Sequence, residues 1–244
     1  MKEHSAVQLY LELLKKTILH EIWIQNETER SMRLEGLDWP QFAHSMIGRF
    51  RMENIQHCLT IALKEGIEGD FIETGVWRGG ACIFARGVLK AYDVTDRKVW
   101  VADSFQGLPE SDVDKYPLDG SEVHTLHTFD YLKVSLEQVK ENFRRYGLLD
   151  DQVGFIKGWF EDTLPVAPVE KLAVLRLDGD MYGSTIVSLR SLYPKLSPGG
   201  FVIIDDYNIP NCAAAVADYR KEMGIEEPML AIDRIGVYWR KAKS

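Results

Sequence analysis

The chain has 244 residues, 45% hydrophobic and 27% charged, which suits a soluble globular protein organised as one unit with an N-terminal elaboration. Lys plus Arg number 29 against 37 Asp plus Glu, and the net charge of -8 excludes the basic stripe that a nucleic-acid partner requires. No apolar run approaches the roughly 18 residues of a membrane span, and Cys58, Cys82 and Cys212 stand too far apart for a paired metal motif, which predicts packed, reduced thiols in a cytoplasmic protein.

Ser5-Ala6-Val7-Gln8 has the form of a capping box, and Leu9, Leu13, Leu14 and Ile18 recur near helical spacing. Residues 5–24 are therefore predicted as an amphipathic helix that covers the core or a partner subunit. Lys15 and Lys16 interrupt any signal-peptide pattern, so none is expected. Residues 25–50 are polar and broken, with Trp39-Pro40 just ahead of Ala43–Gly48, and read as a lid over a pocket or as a surface connection. Ile55, Leu59, Ala62 and Leu63 return a helix over 51–65, which closes an N-terminal segment (1–65) ahead of the main domain (66–244).

From there strand and helix alternate. Asp70–Glu73, Val99–Ala102, Val153–Ile156, Leu172–Leu177 and Phe201–Ile204 read as strands, with Gly236–Arg240 as a last one. Helices are expected over Ala81–Tyr92, from Ser135 to a stop at Gly147, over Thr185–Tyr193 and over Ala213–Met223. Such alternation implies an α/β fold with a mostly parallel sheet covered on both faces. Residues 107–131 form a long polar stretch, read as an acceptor-side lid.

The chemistry gathers at one rim. Glu73, Asp103, Gly158, Asp178, Asp180, Asp205 and Asp206 all fall at strand carboxyl ends, where ligands bind in such sheets. Asp178-Gly179-Asp180 and Asp205-Asp206 each end an apolar run in paired carboxylates, costly unless a cation or proton compensates. Side by side they would form an oxygen-rich cup for a hard divalent ion.

Glu73-Thr74-Gly75 and Gly79-Gly80 make a glycine-bearing turn without G-x-G-x-x-G spacing, and Asp103 closes the next strand, where an acid accepts ribose hydroxyls. A nucleoside ligand fits. A dinucleotide would want an open helix N-terminus, whereas Glu73, facing a ligand ammonium, favours S-adenosylmethionine, with Trp159 and Phe160 either an adenine wall or core aromatics.

Five blocks in order carry a resemblance: the early Asp38-Trp39-Pro40 with Ala43–Gly48, then Asp70–Gly80, Trp100–Pro109, Leu175–Tyr182 and Ser197–Tyr207. Over about residues 8–240 the chain resembles the macrocin O-methyltransferase family, magnesium- and S-adenosylmethionine-dependent enzymes that methylate sugar hydroxyls on antibiotics and related natural products. The resemblance implies a seven-stranded, Rossmann-like methyltransferase sheet with an N-terminal helical lid, and a homodimer or higher homo-oligomer. It implies a cofactor site of Glu73, Thr74, Gly75, Arg78, Asp103, Ser104, Phe105, Gly158, Trp159, Phe160 and Asp178, reached by Met46. It places magnesium on Asp178, Asp205 and Asp206 and the base on Asp180, two positions along, where an extended strand end would point both side chains the same way. His44, His124 and His127 are the alternative bases. The competing functions are a nicotinamide-dependent oxidoreductase, with no use for the clustered aspartates, and a non-catalytic scaffold, with no reason to keep uncompensated charge.

Overall fold

The computed structural model describes residues 5–120 and 122–243. The apolar runs become β1 (Asp70–Thr74), β2 (Val99–Asp103), β3 (Val153–Lys157), β4 (Leu172–Leu177) and β5 (Leu196–Ile204). Two further strands, β6 (Leu230–Ala231) and β7 (Val237–Arg240), complete one seven-stranded sheet of order β3-β2-β1-β4-β5-β7-β6. β7 runs antiparallel to both neighbours and every other pair is parallel. β6 lies in the short apolar run Met229–Ile232, for which no strand was expected.

Among the described residues eight α-helices surround the sheet: α1 (Ala6–Ile18), α2 (Glu27–Glu35), α3 (Arg49–Lys64), α4 (Gly80–Ala91), α5 (Leu136–Arg145), α6 (Phe160–Thr163), α7 (Tyr182–Leu192) and α8 (Pro210–Met223). Adjacent strand residues point to opposite faces, which builds two cores. Phe71, Val101, Val174 and Ile203 pack with α1, α3, α4 and α5, while Ile72, Ala102, Leu175 and Ile204 pack with α7 and α8. The N-terminal helices thus share a core with the sheet.

Two local expectations are corrected. Residues 25–50 are not wholly irregular, because Asn26 accepts from the Thr28 and Glu29 amides and Gly36 (φ 65°) ends the helix between them. Capping and polar helix formers, not an apolar stripe, define α2. The predicted helix over 5–24 stops at Ile18, where His20 turns left-handed (φ 62°) before a 3-10 turn at Glu21–Trp23. The long polar stretch 107–131, of which residue 121 lies outside the described residues, contains 3-10 turns at Pro117–Gly120, Glu122–Thr128 and Asp130–Leu132.

The chain runs from β1 outward to β3, then returns to β4 on the other side of β1. The resulting crevice at the carboxyl ends of β1 and β4 is where ligands bind in open parallel sheets.

Candidate active site

A cavity of about 420 Å³ opens over that crevice, lined among others by Met46, Gly75, Asp103, Ser104, Gly158, Trp159, Phe160, Asp178 and Asp180. Its volume suits a nucleoside-sized ligand. Gly75 makes the crevice possible: at φ 85°, a Cβ there would stand 1.7 Å from the Asp178 carbonyl oxygen. Next to it the Asp103 carboxylate accepts from the Val76 amide (2.8 Å) and the Phe105 amide (2.7 Å). Burial raises its pKa while these backbone bonds oppose the rise. The Ser104 hydroxyl also lies 3.5 Å from Oδ1, and Asp103 lines the cavity, where a ribose hydroxyl could approach it. Met46 reaches the wall because buried Arg33 on α2 donates to the carbonyls of Met46 and Ile47.

The acidic residues converge below. Oxygens of Asp178, Asp205 and Asp206 lie within 4.8 Å of one another, a spacing at which one divalent cation can touch all three. Their charge is partly compensated from inside the protein. Arg176 on β4 is fully buried and donates to Glu73, Asp178 and Asp205, and Arg51 on α3 donates to Asp205 and Asp233. Both Asp205 oxygens therefore carry a guanidinium partner, and an ion there would use their remaining lone pairs.

Among the described residues no ion pair reaches Asp180 or Asp206. Their link is to each other, the Asp180 amide donating to Asp206 Oδ2 at 3.0 Å. Burial and the charges of Asp178 and Asp205 push the Asp180 carboxyl up to about 7. Burial and Asp205 push Asp178 up to about 6 against the pull of Arg176, although 26% of its side chain opens to the cavity. Burial, then the neighbouring Asp180, Asp178 and Asp205 charges, drive Asp206 well above the usual carboxylate range. Six carboxyl groups (Glu73, Asp178, Asp180, Asp205, Asp206 and Asp233) face two guanidinium groups, and the surplus negative charge suits a cation or protons.

Asp178 and Asp180 do not share an extended strand end. β4 stops at Leu177, and Asp180 adopts φ 54° inside a tight turn in which the Met181 amide donates to the Gly179 carbonyl at 2.5 Å. Trp77 (φ 47°) and Phe105 (φ 58°) are likewise left-handed at strand ends. Non-glycine residues in that region store strain of about 1–3 kcal/mol each, and such residues cluster at functional sites.

Other expected site residues stand behind the cavity wall. Glu73 is buried against Arg176 and the Cys82 thiol (2.8 Å), and burial pushes its carboxyl up to about 7. It faces a guanidinium of its own protein, not a ligand ammonium. Thr74 is buried, and the Asp178 amide donates to its carbonyl. Arg78 stacks on Trp77 (4.0 Å to the ring centroid) and donates to the carbonyls of Pro40, Gln41 and Ala43, holding the N-terminal segment on the rim. Phe105 is buried in the core. His44 bonds Tyr146 (2.7 Å) and is pushed down to about 4, chiefly by burial, while His124 and His127 pair with each other away from the cavity wall.

Arg176 and Arg51 were not singled out in the sequence. Arg176 had a legible signal, one charge inside the otherwise apolar Leu172–Leu177, whereas Arg51 looks like any helical arginine.

The sheet order, the reversed β7 and the rim cavity define an α/β O-methyltransferase, and the solved O-methyltransferase NovP shares that architecture with a TM-score of 0.93 and 50% identity over 97% of this chain and 99% of that one. The chain belongs to the macrocin-O-methyltransferase (TylF) family, matched over residues 20–241. It is 53% identical to the mycinamicin III 3''-O-methyltransferase of Micromonospora griseorubida over 99% of this chain and 100% of that protein. It is 51% identical to the 8-demethyl-8-(2,3-dimethoxy-alpha-L-rhamnosyl)-tetracenomycin-C 4'-O-methyltransferase of Streptomyces olivaceus over 97% of this chain and 94% of that protein.

Proposed function

We propose that this O-methyltransferase takes its methyl group from S-adenosylmethionine and delivers it to a sugar hydroxyl of a glycosylated natural product, with magnesium at the acidic cluster. The observation that carries the reading is one cavity with a nucleoside-fitting wall (Asp103, Trp159, Phe160, Met46) that runs directly into Asp178 and Asp180. A relative whose name specifies a rhamnosyl 4'-oxygen supports the sugar acceptor.

S-adenosylmethionine would supply an electrophilic methyl carbon, its nucleoside held by Asp103, Gly75 and the Trp159–Phe160 edge. A magnesium ion held by Asp178, Asp205 and Asp206 would supply Lewis acidity and a fixed place for acceptor oxygens. Asp180, with no arginine partner, is the group suited to take the hydroxyl proton on its carboxylate. Pro109, Glu110, Asp112, Tyr116 and Asp119 line the cavity and would exclude water from the acceptor side.

We also read the protein as a cytoplasmic homo-oligomer. Three buried, unbridged cysteines support a reducing compartment, and among the described residues no helix is long and apolar enough to cross a membrane. Leu9 (57% exposed) and Leu13 (56%) on one face of α1 support self-association, which light scattering on the purified protein would test.

The deciding experiment is methyl transfer from labelled S-adenosylmethionine to mycinamicin III and to a rhamnosyl-tetracenomycin, with magnesium or with EDTA. Labelled sugar in the magnesium arm alone is expected. Transfer that survives EDTA removes the metal from the reading. S-adenosylmethionine failing to bind by calorimetry, while NAD binds, removes the methyl donor.

A further inference from the structure

The polar stretch that borders the cavity is fastened to the loop bearing Asp180, the proposed base. Asp119 is 1% exposed. Its carboxylate accepts from the Tyr182 amide (2.7 Å) and the Gly183 amide (2.8 Å), the first two residues of α7. Asn211, at the start of α8, donates to Asp119 (3.3 Å) and to the Leu118 carbonyl (2.7 Å). At Gly183 a Cβ would stand 2.6 Å from the Tyr116 ring, so only glycine lets the stretch lie this close to α7. At its outer edge Lys115 and the Tyr116 hydroxyl both donate to Glu161 at 2.6 Å.

Asp180 thus sits in a short turn whose backbone is gripped on two sides. On the sheet side Asp206 accepts from the Asp180 amide, and on the acceptor side Asp119 accepts from the Tyr182 and Gly183 amides two and three residues on. The turn is left-handed at a non-glycine residue and relaxes unless its surroundings hold it. Charge-assisted bonds from backbone amides to a buried carboxylate are about twice as strong as neutral ones.

We propose that Asp119 is a positioning residue: seating residues 109–120 on the α7 N-terminus holds the Asp178–Met181 turn in the geometry that presents Asp178 and Asp180 to the cavity. Acceptor-side closure and placement of the reacting carboxylates are then one event. The inference rests on the proposed role of Asp180, and its first readout needs neither acceptor nor metal.

The test compares hydrogen exchange in the wild type, Asp119→Ala and Asp119→Asn, with S-adenosylhomocysteine calorimetry and Mn2+ titration alongside. In Asp119→Ala, amide exchange is expected to accelerate together in residues 109–120 and in Asp178–Gly183, while S-adenosylhomocysteine affinity stays within about twofold because Asp103 and Trp159 lie on other elements. Mn2+ affinity is expected to fall on the order of tenfold, the scale for loss of a group that orients metal ligands. Asp119→Asn keeps an amide oxygen for one of the two N–H donors and is expected to recover part of both effects, and it serves as the folded variant if Ala does not fold. Faster exchange confined to 109–120, with Asp178–Gly183 as protected as in the wild type, would overturn the proposal. Failure of the wild type to bind Mn2+ would sink the metal reading while leaving the exchange result to decide this one.

Discussion

Asp178 and Asp180 differ in their partners more than in their chemistry. Asp178 is tied to Arg176 at 2.9 Å, whereas among the described residues Asp180 has its amide bonded to Asp206 and its carboxyl in no ion pair, on the cavity wall. Asp180→Asn keeps the shape and removes the proton acceptor, so turnover should drop on the order of 10²–10⁴-fold while S-adenosylmethionine affinity, read by calorimetry, stays near wild type. Retained turnover in that variant would place the base elsewhere. Gly75→Ala acts through the backbone, since the added methyl meets the Asp178 carbonyl and the left-handed φ disfavours it. It should cost on the order of 2 kcal/mol or more in urea unfolding and abolish S-adenosylmethionine binding. Asp103, Trp159 and Asp180 are legible as residues because each closes a recognisable apolar run. Arg176 hides inside such a run, and its role depends on partners from β1 and β5 that no local pattern reveals.

Among the elements, β4 and α3 carry the internal counterions. Arg176 joins the ends of β1, β4 and β5, and Arg51 joins α3 to Asp205 and, through the Gly36 carbonyl (3.2 Å), to the end of α2. Uncompensated charge at the strand ends, expected from sequence, therefore applies to Asp180 and Asp206 and not to the whole cluster. Arg176→Met strands Glu73, Asp178 and Asp205 without their shared cation and should destabilise the fold by about 3–5 kcal/mol in denaturant titrations, with Mg2+ recovering part of the loss. A variant as stable as the wild type would show that the carboxyls simply stay protonated. Asn26→Ala removes the cap that starts α2 and should cost about 1 kcal/mol in the same titration. Helices α3, α4, α5 and α8 are close to their periodic patterns, whereas α2 and β6 are not, because capping and pairing, not burial of a stripe, create them.

For the whole molecule the acidic rim sets a pH dependence. Glu73, Asp178 and Asp180 titrate at about 7, 6 and 7 in the fold, against about 4 when unfolded. Between about pH 4 and 7 the folded chain holds protons that the unfolded chain has released, so stability falls as pH rises through that window. Glu12, held down to about 2 chiefly by its bond to Arg49, adds stability that is complete through this window and lost only as pH falls towards 2, while His44, held down to about 4 chiefly by burial, opposes the three carboxyls as a single group. The melting temperature of EDTA-treated protein should therefore fall from about pH 5 to about pH 8. Magnesium bound at the acidic cluster, as proposed, would replace protons as the compensating charge, so its stabilising effect should widen over the same range. An equal magnesium effect at both ends would remove the carboxyl surplus as its cause.

The order of apolar runs and the acids that end them were enough to place an α/β sheet and an acidic rim, because strand period and chain direction are local properties. Family membership was carried by the same blocks. Which carboxylates stand bare and which are neutralised was decided only in three dimensions, because Arg51, Arg176 and Asp205 lie far apart in the chain and meet through crossover connections. The turn at Asp180 and its grip by Asp119 likewise exist only once residues 109–120 lie against α7, a contact no periodicity encodes.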